Sequence, residues 1–254
     1  WNDDKSWHPT GRDVSATSQV MLHLSTATLY NIFGGTSSLY DFTIMFPLIF
    51  GSLTCIVVFA LVRVIGGTTA GLFASLMFAI SVPILFRGLL GWFKSEPFGL
   101  FLSFIAIYLF LSAIKKNTGK TSFVKLLSGG VFFGLSLAAW GGNQFFLLPL
   151  AIFFIALPFL KSDRKFLFWA IPTFAISLLL TTLCFERPGI SFVTGYGGIL
   201  VLLPTIFMVL LLIVQTFSNR ATRIRNSIFA LGAFIVSGIG ISSSGFFNLP
   251  SFRY

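Results

Sequence analysis

The sequence predicts an all-α, polytopic transmembrane helical domain, and three observations point to this fold class. Apolar residues make up 56 % of the 254 residues, and charged residues make up only 9 %. Because a soluble domain carries about 25 % charged residues, this chain lacks the polar surface that would cover it in water. The apolar residues also fall into runs of about 20, the length of a helix that crosses a bilayer.

The chain divides into three segments. Residues 1–41 are expected to form a loop at the membrane surface, with a half-polar helix over 14–33 that suits the membrane interface. Residues 42–244 form the transmembrane helical domain, and 245–254 begin a further external loop. Eight spans are predicted near 42–62, 67–84, 97–114, 122–140, 143–160, 166–184, 195–217 and 227–243. Since the first residue is Trp rather than Met, we expect a piece of a longer protein.

The cations separate to the two ends of the predicted spans. Eleven of the 17 lie on one side: Arg63, Lys115, Lys116, Lys120, Lys125, Lys161, Arg164, Lys165, Arg220, Arg223 and Arg225. The other side carries Lys5, Arg12, Arg87, Lys94, Arg187 and Arg253, with six of the seven acids, Asp3, Asp4, Asp13, Asp41, Glu96 and Glu186. The positive-inside rule assigns the first side to the cytoplasm, so we expect the loops that could carry chemistry to face outside.

Composition and motifs exclude several classes of function. The net charge of +10 does not indicate nucleic-acid binding, because the cations lie in short loops and form no basic polar stripe. Cys55 and Cys184 lie inside apolar runs and are expected to be small buried residues rather than a disulfide or a metal pair. The sequence contains no Gly-rich phosphate loop, no Ser/His/Asp set and no Cys/His motif with metal spacing.

The first candidate cluster is residues 1–12, Trp-Asn-Asp-Asp-Lys-Ser-Trp-His-Pro-Thr-Gly-Arg. It is too polar to enter lipid and too aromatic for an ordinary hydrophilic tail, which favours a loop at the membrane surface. Asp3 and Asp4 could take a hard cation, a sugar hydroxyl or a lysine, and the two tryptophans offer flat faces to a sugar or a peptide. Alternatively, the tryptophans anchor a folded loop at the lipid headgroups and one of the aspartates pairs with Arg12.

The second candidate cluster runs from Arg87 to Glu96, between two predicted spans. An ionisable residue at the mouth of a span is costly unless it faces water, a partner or a ligand. Glu96 offers hard oxygen ligands for Mg²⁺ or Mn²⁺, and the planar fork of Arg87 could hold a phosphate or a carboxylate. The alternative is an interfacial ion pair of Glu96 with Lys94 or Arg87.

The third candidate cluster is residues 138–144, Ala-Ala-Trp-Gly-Gly-Asn-Gln, a tight external turn. Anchoring in the aromatic belt of the membrane explains Trp140 without any further function. His8 and His23 are the two histidines of the chain, and His23 lies on the half-polar helix, where a structural role is expected.

Together these segments resemble the catalytic subunit of oligosaccharyltransferase, the membrane enzyme of asparagine-linked glycosylation, in its archaeal form. Residues 1–12 are similar to the first external loop of the family, which reads Trp, two Asp, then Trp, Tyr or His, Pro, Gly and Arg. Residues 91–96 (Gly-Trp-Phe-Lys-Ser-Glu), preceded by Arg87, lie where the family has its second acidic motif. Residues 140–142 (Trp-Gly-Gly), followed by Phe145 and a Leu-Pro pair, resemble another family segment.

The resemblance implies a membrane glycosyltransferase of the GT-C type. It would transfer a preassembled glycan from a polyprenyl (dolichyl) phosphate or pyrophosphate carrier to Asn in Asn-x-Ser/Thr sequons, with Mn²⁺ or Mg²⁺. Its partners would be the lipid-linked donor, the acceptor polypeptide and membrane lipid, and not nucleic acid. A multi-pass location is implied, with the active-site loops outside or, in a eukaryote, on the lumenal face of the endoplasmic reticulum.

The resemblance also implies roles for individual residues. Arg87 and Glu96 would be catalytic, with Glu96 as a metal ligand. Lys94, Trp7, His8, Arg12 and Trp140 would bind the donor or substrate, and Trp1, Asp3, Asp4, Pro9 and Gly11 would shape the loop. The second motif departs from the family pattern, because Lys94 stands where an acidic residue is usual and only Glu96 matches a ligand. The family's other acidic residues are expected upstream of Trp1 and downstream of Tyr254, so this piece alone should be inactive.

Two alternatives stay open. Another polyprenyl-phosphate-dependent glycosyltransferase of this architecture would also place acids on the first external loop. A transporter or channel without enzymatic activity would need ionisable residues at the midplane of several spans, and these spans hold almost none.

Overall fold

The computed structural model describes residues 2–5, 9–116, 119–161, 163–218 and 222–243. In chain order its elements are β1 (Asn2–Asp3), β2 (Arg12–Asp13), α1 (Val14–Thr17), α2 (Met21–Phe33), α3 (Leu39–Ala79), α4 (Val82–Arg87), α5 (Ser95–Lys116), α6 (Lys120–Ala139), a 3₁₀ helix (Gly141–Phe146), α7 (Leu147–Leu160), α8 (Arg164–Leu183), α9 (Gly189–Thr194), α10 (Tyr196–Phe217) and α11 (Arg223–Ser243).

The all-α membrane fold is confirmed. Within the described ranges, six helical segments are long and apolar enough to cross a bilayer: α3, α5, α6, the 3₁₀ helix with α7, α8 and α10. The eight predicted spans correspond to these six segments and α11. The first span and most of the second lie in α3, the end of the second lies in α4, and the eighth lies in α11. The half-polar helix predicted over 14–33 is present as α1 and α2.

The long element α3 is two helices that fold back on each other at Gly67. Gly67 has φ 85° and ψ −179°, a conformation that glycine adopts without steric strain. Beyond this break Ser75 Oγ donates a hydrogen bond of 2.8 Å to the carbonyl oxygen of Cys55. A Cβ atom added at Gly71 would lie 2.8 Å from the carbonyl oxygen of Phe59, so the glycine allows the two legs to approach closely.

The core of the bundle lies around α6, which packs between α5 and α8, while α10 packs on α7 and α8. Phe110, Phe154 and Phe174, from α5, α7 and α8, are fully buried, and their ring centroids lie 4.8–6.2 Å apart. Gly130 of α6 meets α8 at short range, since an added Cβ would lie 2.4 Å from the carbonyl oxygen of Phe174. Small residues thus bring the helices together, as expected of packing inside a membrane.

The loops gather at two ends of the bundle. At one end Lys115 donates to the carbonyl oxygen of Val64, Lys161 donates to that of Ile114, and Arg164 Nη1 donates to that of Gln215 at 3.2 Å. These cations belong to the set predicted to be cytoplasmic, and they lie together as predicted. We call this the cation-rich end. Which end faces the cytoplasm stays a prediction.

Candidate active site at the opposite end

The first loop begins with a short antiparallel β ladder. In it Asn2 faces Asp13 and Asp3 faces Arg12, and Asp3 Oδ1 accepts a hydrogen bond of 3.1 Å from the backbone N–H of Lys5. Gly11 takes a φ of 73° just before the second strand, which a residue with a side chain adopts only with strain.

The ladder places the loop-shaping candidates in one small hairpin. Asp3, Asp4, Pro9 and Gly11 all lie within it, between or beside the two strands, and Asp4 and Pro9 are exposed. Trp1, Trp7 and His8, the other candidates of this segment, lie outside the described residues. The predicted role of the hairpin residues in shaping the loop stays a prediction.

Arg12 fastens this hairpin to the chain that follows it. Its Nε donates to Thr17 Oγ1 at 2.8 Å, and its Nη2 donates to Ser18 Oγ. On the far side Arg187 Nη1 donates to the carbonyl oxygen of Thr17 at 2.7 Å. Two arginines separated by 175 positions therefore hold the same short segment, which joins the first loop to the loop after α8. The sequence offered no sign of this contact for Arg187.

Glu96 lies in the first turn of α5, where the helix dipole favours a negative charge. Arg87 Nη1 donates to Glu96 Oε1 at 3.1 Å, so the structure joins the two residues that sequence reasoning assigned to catalysis. Glu96 is 17 % exposed and Arg87 is 53 % exposed. Glu96 Oε2 is buried and has no hydrogen-bond partner among the described residues. One carboxylate oxygen is thus held by Arg87, and the other is buried without a hydrogen bond from the described residues.

Lys94 lies on the exposed surface two residues before Glu96. Its ammonium lies 5.6 Å from the centroid of the Trp92 ring, within the range of a cation–π contact. Trp92 is itself 45 % exposed. The stretch before α5 therefore presents a positive charge to the surface, and its partner is a ring rather than a carboxylate that the charge would neutralise.

Trp140 and Asn143 pack behind the helix turn that carries Glu96. A Cβ atom added at Gly99 would lie 2.6 Å from Trp140 Cβ, so the Trp140 side chain packs directly on the backbone of Gly99. Asn143 is fully buried, and its Nδ2 donates to the carbonyl oxygens of Gly99 and Ser136, both at 3.0 Å. Its Oδ1 is buried without a partner in the described part of the chain. The sequence predicted Trp140 as a site residue but not Asn143. The one sign of a role for Asn143 in the sequence was its position as a polar residue directly after the Gly141-Gly142 pair.

The helix α2 covers the same end of the bundle. The ring of His23 lies 6.3 Å from that of Phe93, and Phe46 contacts Phe93 and Phe98 at 5.5 and 5.6 Å. The pKa of His23 is lowered, first because contact with neighbouring groups removes water from the ring and second because Arg12 is positively charged. Aromatic packing thus connects α2 with the residues on either side of Glu96.

The metal assignment fits this site only in part. Across residues 2–5, 9–116, 119–161, 163–218 and 222–243, no three His, Cys, Asp or Glu side chains group in a way that could hold a metal ion. Glu96 offers one buried carboxylate oxygen of the hard type that Mg²⁺ and Mn²⁺ prefer. A complete site would therefore need further oxygen ligands from outside the described residues.

The chain is similar in sequence to proteins of one family. The family model described as "Oligosaccharyl transferase STT3, N-terminal" matches residues 1–249. The STT3B subunit of a dolichyl-diphosphooligosaccharide–protein glycosyltransferase from Oryza sativa subsp. japonica is 28 % identical over 185 residues, which is 71 % of this chain and 25 % of that protein. The STT3 subunit from Dictyostelium discoideum is 28 % identical over 187 residues, with the same coverage. The chain spans about a quarter of the length of these relatives.

Solved structures share the fold. The oligosaccharyltransferase of Archaeoglobus fulgidus, solved with Zn and sulfate, has a TM-score of 0.75 at 21 % identity. The match covers 97 % of this chain and 33 % of the archaeal chain. The archaeal oligosaccharyltransferase AglB of the same organism, in complex with an inhibitory peptide and a dolichol-phosphate, has a TM-score of 0.72 at 20 % identity. This match covers 98 % of this chain and 31 % of the AglB chain.

Proposed function

The chain belongs to the STT3 family of oligosaccharyl transferases, and we propose that the protein containing it transfers a preassembled glycan from a lipid carrier to asparagine. The carrier is a polyprenyl phosphate or pyrophosphate, and the acceptor is Asn in Asn-x-Ser/Thr. The solved archaeal relative, in complex with an inhibitory peptide and a dolichol-phosphate, supports both partners. The described part contributes one side of the active site, and the rest of the full-length protein completes it.

The observation that carries this proposal is the Arg87–Glu96 pair, in which the second carboxylate oxygen is buried without a hydrogen bond from the described residues. Arg87 holds Oε1 at 3.1 Å, which fixes the carboxylate, and the buried Oε2 has no hydrogen-bond donor among the described residues. A buried carboxylate oxygen without a partner is costly, so a ligand or water is expected there. Glu96 is therefore assigned as a metal ligand and Arg87 as the residue that orients it.

The chemistry explains why this site needs carboxylates. An amide nitrogen is a poor nucleophile, so acidic groups must bind and polarise the acceptor amide. A divalent cation, Mn²⁺ or Mg²⁺, would supply electrostatic stabilisation of the developing charge when bound. The exposed ammonium of Lys94 suits the phosphate of the lipid-linked donor. Arg12, Trp7, His8 and Trp140 are proposed to bind the donor or the peptide.

The proposed location follows from the charges. The candidate site lies opposite the cation-rich end, which the positive-inside rule assigns to the cytoplasm. The donor would thus be used on the outer face of the membrane, or on the lumenal face in a eukaryote.

The test is a transfer assay with the full-length protein in detergent or vesicles. A lipid-linked glycan and a peptide with one Asn-x-Thr sequon should give a glycopeptide, detected by mass spectrometry, and addition of a chelator should reduce the yield. A peptide with Gln in place of Asn is the control. Transfer of the sugar only to an acceptor other than a peptide would replace this proposal with a different polyprenyl-phosphate-dependent glycosyltransferase.

A further inference from the structure

A groove of about 360 Å³ lies at the cation-rich end, between the start of α8 and the end of α10. We define it by its two cations, Arg164 and Lys165, and its apolar wall. Arg164 and Lys165 are the first residues of α8, so they stand at the level where the helix leaves the membrane. The groove is far along the bundle from Glu96, and the proposed glycan transfer does not use it.

The two cations are placed to bind an anion. Arg164 Nη1 donates to the carbonyl oxygen of Gln215 at 3.2 Å, which fixes the guanidinium against α10. A guanidinium has five N–H donors, so others stay available to a ligand. Lys165 is exposed beside it. The neighbouring acid, Asp163, turns its Oδ1 to the backbone N–H of Phe166 at 3.1 Å, where it caps α8.

The wall of the groove is apolar and open to its surroundings. Phe168 is 50 % exposed and Ile213 is 40 % exposed, and Leu212 lies beside Ile213 on α10. Phe168 lies about one helical turn further along α8 than the cations, since each residue adds about 1.5 Å along a helix. Phe217 lies at the mouth of the groove and is 86 % exposed. A surface of this kind meets acyl chains rather than water.

We infer that this groove is a binding site for an anionic phospholipid. The phosphate group would bind Arg164 and Lys165, and one acyl chain would lie along Phe168 and Ile213. Charge complementarity decides between lipids, because two cations at the headgroup level favour a lipid with net negative charge over a zwitterionic one. Basic pockets between transmembrane helices bind such headgroups by the same combination of charge and apolar contact.

The test uses the full-length protein in nanodiscs that contain phosphatidylglycerol and phosphatidylcholine in equal amounts. After gentle extraction with detergent, mass spectrometry measures which lipid remains bound. The wild-type protein should retain phosphatidylglycerol in preference to phosphatidylcholine. Lys165→Gln should lower this preference about fivefold, the effect of one cation near an anionic headgroup.

Two further variants separate the groove from the general charge of this end. Lys116→Gln removes an exposed cation at the same end, at the last position of α5, and should leave the preference unchanged. Ile213→Trp fills the groove but keeps both cations, and it should lower retention of the lipid. Because neither Lys165→Gln nor Ile213→Trp removes the Arg164–Gln215 bond, both variants are expected to fold.

Several outcomes would overturn the inference. An equal loss of preference in Lys116→Gln and Lys165→Gln would show that only the overall charge acts. Unchanged retention in Ile213→Trp would show that the groove holds no acyl chain. Complete displacement of the lipid by millimolar inorganic phosphate would identify a site for soluble phosphate, and occupation by a copurified protein helix would identify a subunit interface instead.

Discussion

The side chain of Asn143 donates a hydrogen bond of 3.0 Å to the carbonyl oxygen of Gly99. Gly99 lies three residues after Glu96 in α5, so the bond fastens the helix turn that carries the carboxylate. A second bond of 3.0 Å, from the same nitrogen to Ser136, reaches the end of α6. One buried amide therefore connects α5, α6 and the 3₁₀ helix immediately behind the candidate site.

Replacement of this amide should weaken both the fold and the site. Asn143→Ala removes two buried hydrogen bonds and leaves a void, which should lower the free energy of unfolding by about 2 kcal/mol. Thermal unfolding of the full-length protein in detergent measures this change. Gln144→Ala, at the exposed neighbouring position, is the control and should change stability little. Equal midpoints for the two variants would show that the buried amide does not hold these helices together.

The contact of Gly99 with Trp140 can be tested with a single methyl group. Gly99→Ala would place Cβ 2.6 Å from Trp140 Cβ, so backbone must shift and stability should fall by about 1–3 kcal/mol. Gly51→Ala is the matched control, because Gly51 lies inside a helix and an added Cβ there meets nothing within 4 Å. That variant should be neutral or more stable by up to about 1 kcal/mol. Thermal unfolding that ranks the two variants in the reverse order would contradict the described packing.

The sequence alone predicted the fold class and most helix positions, because the bilayer requires long apolar segments with polar loops between them. It also predicted separate spans over 42–62 and 67–84, and the positive φ of Gly67 marks the break between them. Hydropathy did not predict that the part of α3 after Gly67 would end at Ala79, which leaves it shorter than the predicted span over 67–84. That outcome depends on the break at Gly67 and on the turn before α4, and apolar runs do not mark such features.

The candidate site was predictable in part. Ordinary chemistry suggested that Glu96 would pair with Arg87 or Lys94, and the structure shows the bond to Arg87. The roles of Asn143 and Arg187 were not predictable, because both depend on contacts between segments that lie far apart in the chain. A buried Asn in a Gly-rich turn and a loop arginine look like ordinary surface residues until the helices are placed.

The charge state of His23 gives a prediction about pH. The pKa of His23 is lowered in the folded protein. As the pH falls below about 6.5, the usual pKa of histidine, the unfolded chain therefore binds more protons than the folded one. The stability that the neutral ring contributes is therefore present above this pH and is lost below it. NMR titration of histidine-labelled protein should give a midpoint below 6.5 for His23, with His8→Gln used to assign the signal.

The same titration tests the second cause of the shift. Arg12→Gln removes the nearby positive charge and should move the midpoint of His23 upward, toward its usual value. An upward movement that left the midpoint still below 6.5 would agree with loss of hydration as the larger cause. A midpoint above 6.5 in the wild-type protein would contradict the described surroundings of the ring.

The proposed orientation predicts which loops react from outside the membrane. In a protein with Cys55→Ala and Cys184→Ser, a cysteine at position 5 (Lys5→Cys) should react with an impermeant maleimide in intact cells or spheroplasts. A cysteine at position 116 (Lys116→Cys), at the cation-rich end, should react only after the membrane is opened. The reverse pattern would place the candidate site in the cytoplasm and would contradict the proposed use of an external donor.

The role of Glu96 as a metal ligand is the central claim, and transfer to a sequon peptide as a function of Mn²⁺ concentration tests it most directly. Glu96→Gln in the full-length protein removes the negative charge of the carboxylate, so transfer should fall roughly hundredfold and half-saturation should need more Mn²⁺. Glu186→Gln changes an exposed glutamate at the same end and should keep wild-type activity and metal dependence. Wild-type transfer by Glu96→Gln across all Mn²⁺ concentrations would contradict the assignment.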